Sequence, residues 1–410
     1  MSDDTLIHTE GDFDLPMSRR AFLAGAALGG VGLLTGAHET AAWMAGRQPA
    51  DVKGIGVPAG LVRLAFNENP LGASPKAIAA VLERQTWMNR YDYTTTLQKA
   101  IIKYHGLDIP NVSGFDFKAT GERHGILLGV GTTELLQLLA LEALMGKGEA
   151  VEALPAYGQI TRVGDELREA GYPVLTRQVA VKPDGTHDLD AMQALITDRT
   201  GLVIVNNPHN PTGAINPYAD VLRFIDNVPS RVLVVIDEVY IHFVRDPAYK
   251  DFIDIAKERE NVLVLRTFSK AYGLGGLRVG YAVGHRNVVR RLAPFSMGLL
   301  GRNTLSVYAA AAALEDAEHV RRSQQTVWSG NDYLTGELKK MGVSVVPSHA
   351  NFVWVDCKRR TRDIVRALSA KNVLIRGGEG AWESPNHIRV STGSPEENEA
   401  FIHALQQVLA

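Results

Sequence analysis

Three runs along the chain are apolar at every position: Leu202-Val203-Ile204-Val205, Val232-Leu233-Val234-Val235-Ile236 and Val262-Leu263-Val264-Leu265. A strand with one wet face alternates polar and apolar residues. Continuous β-branched runs instead suit strands buried on both faces of a mostly parallel sheet. From about Leu61 onward such short runs alternate with longer stretches of helical spacing. The segment Thr133 to Met145 is apolar nearly all round and predicts a deeply buried helix. After about Ser296 the pattern changes. One long helical stretch is predicted over Val307 to Met341, then strands at Val343–Val346, Asn351–Val355, Val373–Arg376 and His387–Ser391. The last helix opens with Ser394-Pro395-Glu396-Glu397, with Ser at the cap, Pro first and Glu third, which is a capping box. The pattern reads as a large α/β sheet domain followed by a smaller α+β domain, without internal repeats or low-complexity linkers.

The start of the chain does not fit that pattern. Ser18-Arg19-Arg20-Ala21-Phe22-Leu23 precedes a Gly- and Ala-rich apolar run to Leu34. Paired arginines ahead of a weakly hydrophobic stretch resemble a twin-arginine export signal. The competing reading is a buried helix preceded by chance arginines. The run is shorter than the roughly 20 apolar residues that span a bilayer, so no stable membrane span is expected. Met17 is a second candidate start, and Ala41-Ala42 a candidate cleavage point. Export through this route implies a periplasmic enzyme, and a cytoplasmic one if the signal is not used. The expected divisions are a signal segment at 1–45, an N-terminal arm at 46–64, a large domain at 65–295 and a small domain at 296–410.

Composition narrows the function classes. The 410 residues carry a formal net charge of −2 and show no basic stripe, which argues against a nucleic-acid partner. The length exceeds one small core. The single cysteine, Cys357, excludes an intrachain disulfide and, following Phe352-Val353-Trp354-Val355, reads as packed rather than reactive. No metal site is assigned.

Four short pieces carry chemistry. Thr267-Phe268-Ser269-Lys270 follows a buried strand, where an ammonium is costly. A Schiff base removes that cost by replacing the charge. Thr267, Ser269 and Arg278, within Gly275-Gly276-Leu277-Arg278-Val279-Gly280, offer two hydroxyls and a guanidinium to a phosphate. Asp237-Glu238-Val239-Tyr240 ends another buried strand, at the edge where open α/β sheets bind ligands. Asn206-Asn207-Pro208-His209-Asn210-Pro211-Thr212-Gly213 is a Pro- and Gly-fixed loop. Gly129-Val130-Gly131-Thr132-Thr133-Glu134 leads into the apolar helix and can turn backbone N–H groups to an anion. Singly, each has a plainer reading: a surface lysine, a capping Asp, a rigid turn, a turn before a helix.

Taken in chain order, from Gly129 to Arg278, the pieces resemble the fold-type I pyridoxal 5'-phosphate (PLP) aminotransferases of the class I/II group, from about Leu61 to the C-terminus. Within the group the chain resembles the histidinol-phosphate aminotransferase subfamily. The residues that carry this are Phe66-Asn67-Glu68-Asn69-Pro70-Leu71-Gly72, Asn89-Arg90-Tyr91, Ala350-Asn351-Phe352-Val353 and His387-Ile388-Arg389-Val390-Ser391. The resemblance implies a seven-stranded, mostly parallel sheet between helices, with a smaller C-terminal α+β domain. It implies that Lys270 bonds the cofactor, that Asp237 pairs with the pyridine nitrogen, and that Tyr240 and Asn210 meet the ring oxygen. Tyr157 stacks on the ring. Thr132, Thr133, Thr267, Ser269 and Arg278 hold the phosphate. Tyr91 reaches the phosphate in a neighbouring subunit, so a homodimer is implied. Arg389, with Asn210 and Asn67, binds the substrate, the Arg389 fork taking its carboxylate.

The chain departs from the subfamily at Pro294 to Asn303, which is Gly-rich and carries Arg302, and at Gly377 to Trp382. Both are expected where the substrate side chain is read. The implied activity is a ping-pong transfer of an amino group between an L-amino acid, or a histidinol-phosphate-like amine, and a 2-oxo acid. Its rivals are another PLP reaction on the same scaffold, a decarboxylase or lyase of the threonine-phosphate decarboxylase kind, and a PLP-binding protein without turnover.

Overall fold

The computed structural model describes residues 47–107 and 125–409, with the arginine-pair segment outside them. The three apolar runs form central strands of a seven-stranded sheet. Numbering strands in chain order, β1 is Val62–Arg63, β2 Ile126–Val130, β3 Glu149–Leu154, β4 Leu175–Ala180, β5 Thr200–Asn206, β6 Leu233–Asp237, β7 Val262–Thr267 and β8 Val279–Gly284. The large sheet runs β2-β8-β7-β6-β5-β3-β4. Only β8 is antiparallel to its neighbours β2 and β7. Strands β5, β6 and β7 are buried at every position, as continuous apolar runs require. The predicted buried helix spans Gly131–Gly146, with Leu135, Leu136, Leu138, Leu139 and Ala143 buried against one sheet face.

The second sheet is four-stranded and antiparallel. With β9 Ser344–Val346, β10 Phe352–Asp356, β11 Val373–Leu374, β12 Arg376–Gly377 and β13 His387–Ser391, it runs β12-β13-β10-β9. The closing helix Pro395–Leu409 covers it, and its capping box forms: Ser394 N donates to Glu397 Oε2 (2.8 Å) and Glu397 N to Ser394 Oγ (3.2 Å). Cys357 is buried in this core.

Two expectations change. The long helix over Val307 to Met341 is two helices, Thr304–Leu314 and Ala317–Lys340. Asp316 separates them because its carboxylate caps the second helix at His319 N (3.3 Å) and takes the Ser74 hydroxyl (2.6 Å). The strand Val373–Arg376 breaks at Ile375, sending β11 to β1 and β12 to β13. Packing also crosses sequence order: Val307, Ala309, Ala310 and Ala313 of helix Thr304–Leu314 pack in the core of the large sheet, whereas Val52, Val62 and Leu64 of the arm pack in the C-terminal core. Sequence order gives no sign of either exchange.

Candidate functional site

The parallel strands of the large sheet all end at one edge. The last residues of β5 and β6, Asn206 and Asp237, are register partners there, and Thr267 ends β7 beside them. A cavity of about 350 Å³ opens at this edge, within the size range of small-molecule sites. Asp237, Tyr240, Asn210, Lys270, Tyr157, Thr132, Thr133, Thr267, Ser269 and Arg278 all line it. The four chemical pieces, spread over more than a hundred residues, thus meet in one place. Phe66, Glu68, Leu136, Asn206, Val239, Gly275 and Gly276 complete the lining.

One end of the cavity is built for an anion. The Thr267 hydroxyl donates to Ser269 Oγ (3.1 Å) and accepts from Ser269 N (3.1 Å). Arg278 lies beside the start of helix Gly131–Gly146, whose free N–H groups and dipole favour negative charge. Glycine is required twice here. A Cβ on Gly131, at φ 67°, would stand 2.6 Å from Arg278 Nη2, and one on Gly280 would stand 2.8 Å from Thr132 N. Arg278 itself adopts φ 51°, a left-handed backbone that costs a non-glycine residue of order 1–3 kcal/mol and occurs preferentially at functional sites.

The same cavity holds the lysine. Lys270 Nζ donates to the backbone carbonyls of Asn67 (3.1 Å) and Phe66 (3.4 Å). Burial first, then the charges of Arg389 and Arg278, bring its amine down to about 7. Asp237 is buried and its carboxyl is raised to about 7 by burial. Burial also pushes Tyr240 to about 12, so it stays protonated. Tyr240 Oη accepts from Asn67 Nδ2 (2.9 Å), which leaves its own proton for an acceptor in the cavity.

Three predicted site residues do not line this cavity. Asn67, at φ 54°, is buried and committed to the chain. Its amide donates to Tyr240, its Oδ1 accepts from Ser391 Oγ (3.0 Å), and its carbonyl accepts from Lys270 and Asn351 Nδ2 (2.9 Å). It therefore bonds both Tyr240 and Lys270. Arg389 lies behind Asn210: Nη1 donates to Asn210 Oδ1 (2.7 Å) and Nη2 to Ala65 O (2.7 Å). With Oδ1 taken, the Asn210 amide nitrogen is the group left for the cavity. Tyr91 is 67% exposed and outside the cavity lining.

Several residues escaped the sequence reading. The Arg389 guanidinium lies 4.9 Å from the Trp382 ring and 5.4 Å from Phe352, which screens it from water. Trp382 belongs to the atypical Gly377–Trp382 stretch, which was the available signal. Arg376 of β12 is the register partner of Arg389 on β13, so both side chains leave the same sheet face. The other atypical stretch lies elsewhere than expected. Arg302 lines a pocket with Arg278, Glu134 and Val130, at the anion end. Its guanidinium donates to the Gln98 side-chain oxygen (2.9 and 3.0 Å, amide oriented to suit both groups). It is therefore not placed beside Arg389.

The residues present fit PLP. A partly buried amine with only carbonyl partners, a buried carboxylate, two phenols and a hydroxyl–guanidinium cradle at a helix start match its aldehyde, pyridine nitrogen, ring and phosphate. Comparison with known proteins agrees. The model of the family described as aminotransferase class I and II matches residues 59–405. A histidinol-phosphate aminotransferase 2 of Pseudomonas aeruginosa is 37% identical over 369 residues, covering 86% of this chain and 90% of the relative. The histidinol-phosphate aminotransferase of Moorella thermoacetica is 36% identical over 357 residues, covering 85% and 86%. The crystal structure of histidinol-phosphate aminotransferase from Sinorhizobium meliloti in complex with pyridoxal-5'-phosphate superposes with a TM-score of 0.75 at 25% identity, covering 85% of this chain and 91% of that one.

Proposed function

The chain belongs to the class I and II aminotransferase family, and from that premise we propose that it is a PLP-dependent transaminase in which Lys270 carries the cofactor. The observation that carries this reading is the Lys270 amine, which shares a cavity with Asp237 and whose hydrogen bonds among the described residues go to two backbone carbonyls. When bound, PLP supplies the electron sink for charge developing at the donor's α-carbon. Asp237 holds the pyridine nitrogen protonated. Tyr240, its hydroxyl already accepting from Asn67, and the free amide nitrogen of Asn210 donate to the ring oxygen. Thr132, Thr133, Thr267, Ser269 and Arg278 hold the phosphate, and Tyr157 covers the ring face. With its amine lowered to about 7, Lys270 Nζ is neutral for a large share of the time near neutral pH. It can then take the donor's α-proton and hold it at Nζ for return. A first amino donor and a second 2-oxo acid use the same site in turn, as a ping-pong exchange.

The donor carries an anion near Arg389 and Arg376. Two guanidiniums on register partners favour a strongly charged group, and the relatives' names point to a phosphorylated amine such as histidinol phosphate. The exposed stretch Trp87, Met88 and Tyr91, at 44%, 74% and 67%, supports a homodimer in which Tyr91 serves the neighbouring site. The arginine-pair segment supports export by the twin-arginine route to the periplasm. Replacing Arg19 and Arg20 with lysines is expected to retain the protein inside the cell.

The decisive test is the absorbance of purified protein titrated with amino donors. The cofactor band is expected to convert to the pyridoxamine form with some donors, and Lys270→Ala to abolish turnover. Substantial activity in Lys270→Ala would overturn the assignment. Release of CO₂ in place of amino transfer would favour the decarboxylase.

A further inference from the structure

Asp237 borders a second, much smaller cavity that Lys270 does not line. Its volume is about 10 Å³, which is about the space one water molecule needs. Glu152, His187, Asn206 and His209 line it with Asp237. His187 and His209 are 1% exposed, and their rings lie 4.4 Å apart. Most of these groups have partners in the chain. Glu152 Oε2 accepts from Thr161 Oγ1 (2.7 Å) and Thr161 N (3.2 Å). His187 Nδ1 pairs with Asn216 Oδ1 (3.2 Å). Asn206 Nδ2 donates to the Asp237 carbonyl (2.9 Å), and its Oδ1 accepts from Asn210 N (2.6 Å).

Two atoms do not. Asp237 Oδ1 and His209 Nε2 are both sealed from solvent and have no hydrogen-bond partner. Buried polar atoms are seldom left so without a reason. The proton positions sharpen the case. The Thr212 hydroxyl donates to Gly185 O (2.7 Å), so its oxygen must accept from His209 Nδ1, 3.0 Å away. A neutral ring with its proton on Nδ1 leaves Nε2 as a bare acceptor. Burial, then the neighbouring His187, holds this ring well below the usual histidine range, although the Pro155 carbonyl pulls the other way. A carboxylate oxygen and a bare imidazole nitrogen cannot bond each other. A water that donates one proton to each satisfies both.

We propose that this cavity is a built site for one water molecule that bridges Asp237 Oδ1 and His209 Nε2, making His209 a positioning residue for the cofactor-holding carboxylate. The inference rests on the functional reading above, because it assigns Asp237 one oxygen for the pyridine nitrogen and one for the water. A donated hydrogen bond favours the charged carboxylate. It opposes burial and the charges of Glu238, beside Asp237, and Glu152, on β3, while the Val239 N–H and then the charge of Lys270 act in the same direction as the water. Among the described residues no hydrogen bond of good geometry reaches Oδ1.

A crystal structure of the PLP-loaded wild type tests the site directly. A water peak is expected within about 3.2 Å of both atoms. A missing peak, or His209 Nε2 bonded to the Pro155 carbonyl instead, overturns the inference. Two variants test the role. His209→Phe is expected to lower kcat and cofactor affinity about tenfold, with donor KM unchanged, and to move the pH at which the cofactor's absorbance changes. His209→Gln, whose amide can again engage the water, is expected to restore most of the loss. Equal losses in both variants, or a loss of thermal stability with the absorbance profile unmoved, would reduce His209 to a packing residue. Wild type that takes up no PLP would sink the functional reading. Wild type that takes it up without the water sinks only this inference.

Discussion

Asp237 and Glu238 are consecutive, both buried, and both raised to about 7 by burial. Their surroundings differ completely. Glu238 Oε2 accepts from Arg266 Nε (3.0 Å) and lies 2.7 Å from Arg266 Nη2, which also reaches Asp251 (3.2 Å). Its other oxygen accepts from Phe252 N (3.2 Å). Asp237 lines the cavity, and among the described residues no side chain is hydrogen-bonded to its carboxylate. The same contrast recurs on β7, where Arg266 is paired and its neighbour Thr267 lines the cavity. Burial and a raised pKa therefore do not by themselves separate a structural acid from a functional one. What separates them is whether the chain supplies the partner.

Paired substitutions test this. In Glu238→Gln, Arg266 loses its main counter-charge inside the protein. Breaking a buried pair from one side costs about 3–5 kcal/mol, so the urea midpoint should fall steeply. The cofactor spectrum of the remaining folded protein should not change. Asp237→Asn is expected to do the reverse. It removes an unpartnered buried charge, so its midpoint should hold or rise, while kcat falls roughly 10²–10³-fold through loss of electrostatic support. Similar stability losses in both variants would break the comparison.

Arg389 gives a smaller effect of the same kind. Its charge is the second cause, after burial, of the lowered Lys270 amine. The neutral amine is the form that reacts with the cofactor, so PLP uptake by the apoprotein should accelerate as pH rises through about 7. Arg389→Gln removes a positive charge that opposes protonation of Lys270. The amine then holds its proton more tightly, and the rise should move to higher pH by about one unit or less. Donor KM should increase in the same variant. A rise at unchanged pH would mean that the two charges do not communicate.

The legible parts of this chain are the local ones. Apolar runs show β5, β6 and β7 because a strand buried on both faces leaves no polar position. The Ser394 cap is legible because all its partners lie within three residues. The motif residues that line the cavity were legible because each follows a strand, and parallel strands deliver their ends to one edge. The unread parts depend on partners far apart in sequence. The bonds of Asn67 to Tyr240, Ser391 and Lys270 are of this kind. The exchange of Val307 and Val62 between cores leaves no periodic trace, because an apolar face does not record what it packs against. The break at Asp316 depends on Ser74, 242 residues away.

Glu397 puts the partner rule to its narrowest test. Like Asp237 it is buried, its carboxyl is raised by burial, and it borders a cavity, one it shares with Glu68 and Ser269. On burial and pocket lining alone it would rank with the functional acids. Yet Oε2 accepts from Ser394 N within the capping box, so the chain supplies its partner and the rule places it with Glu238. Ser394→Ala removes the reciprocal bond from Glu397 N, and loss of such a cap costs about 1 kcal/mol. The unfolding free energy should drop by that amount while kcat and donor KM stay at wild-type values. A change in either kinetic constant without the stability loss would move Glu397 into the functional group. It would also show that a partner in the chain is not sufficient to mark an acid as structural.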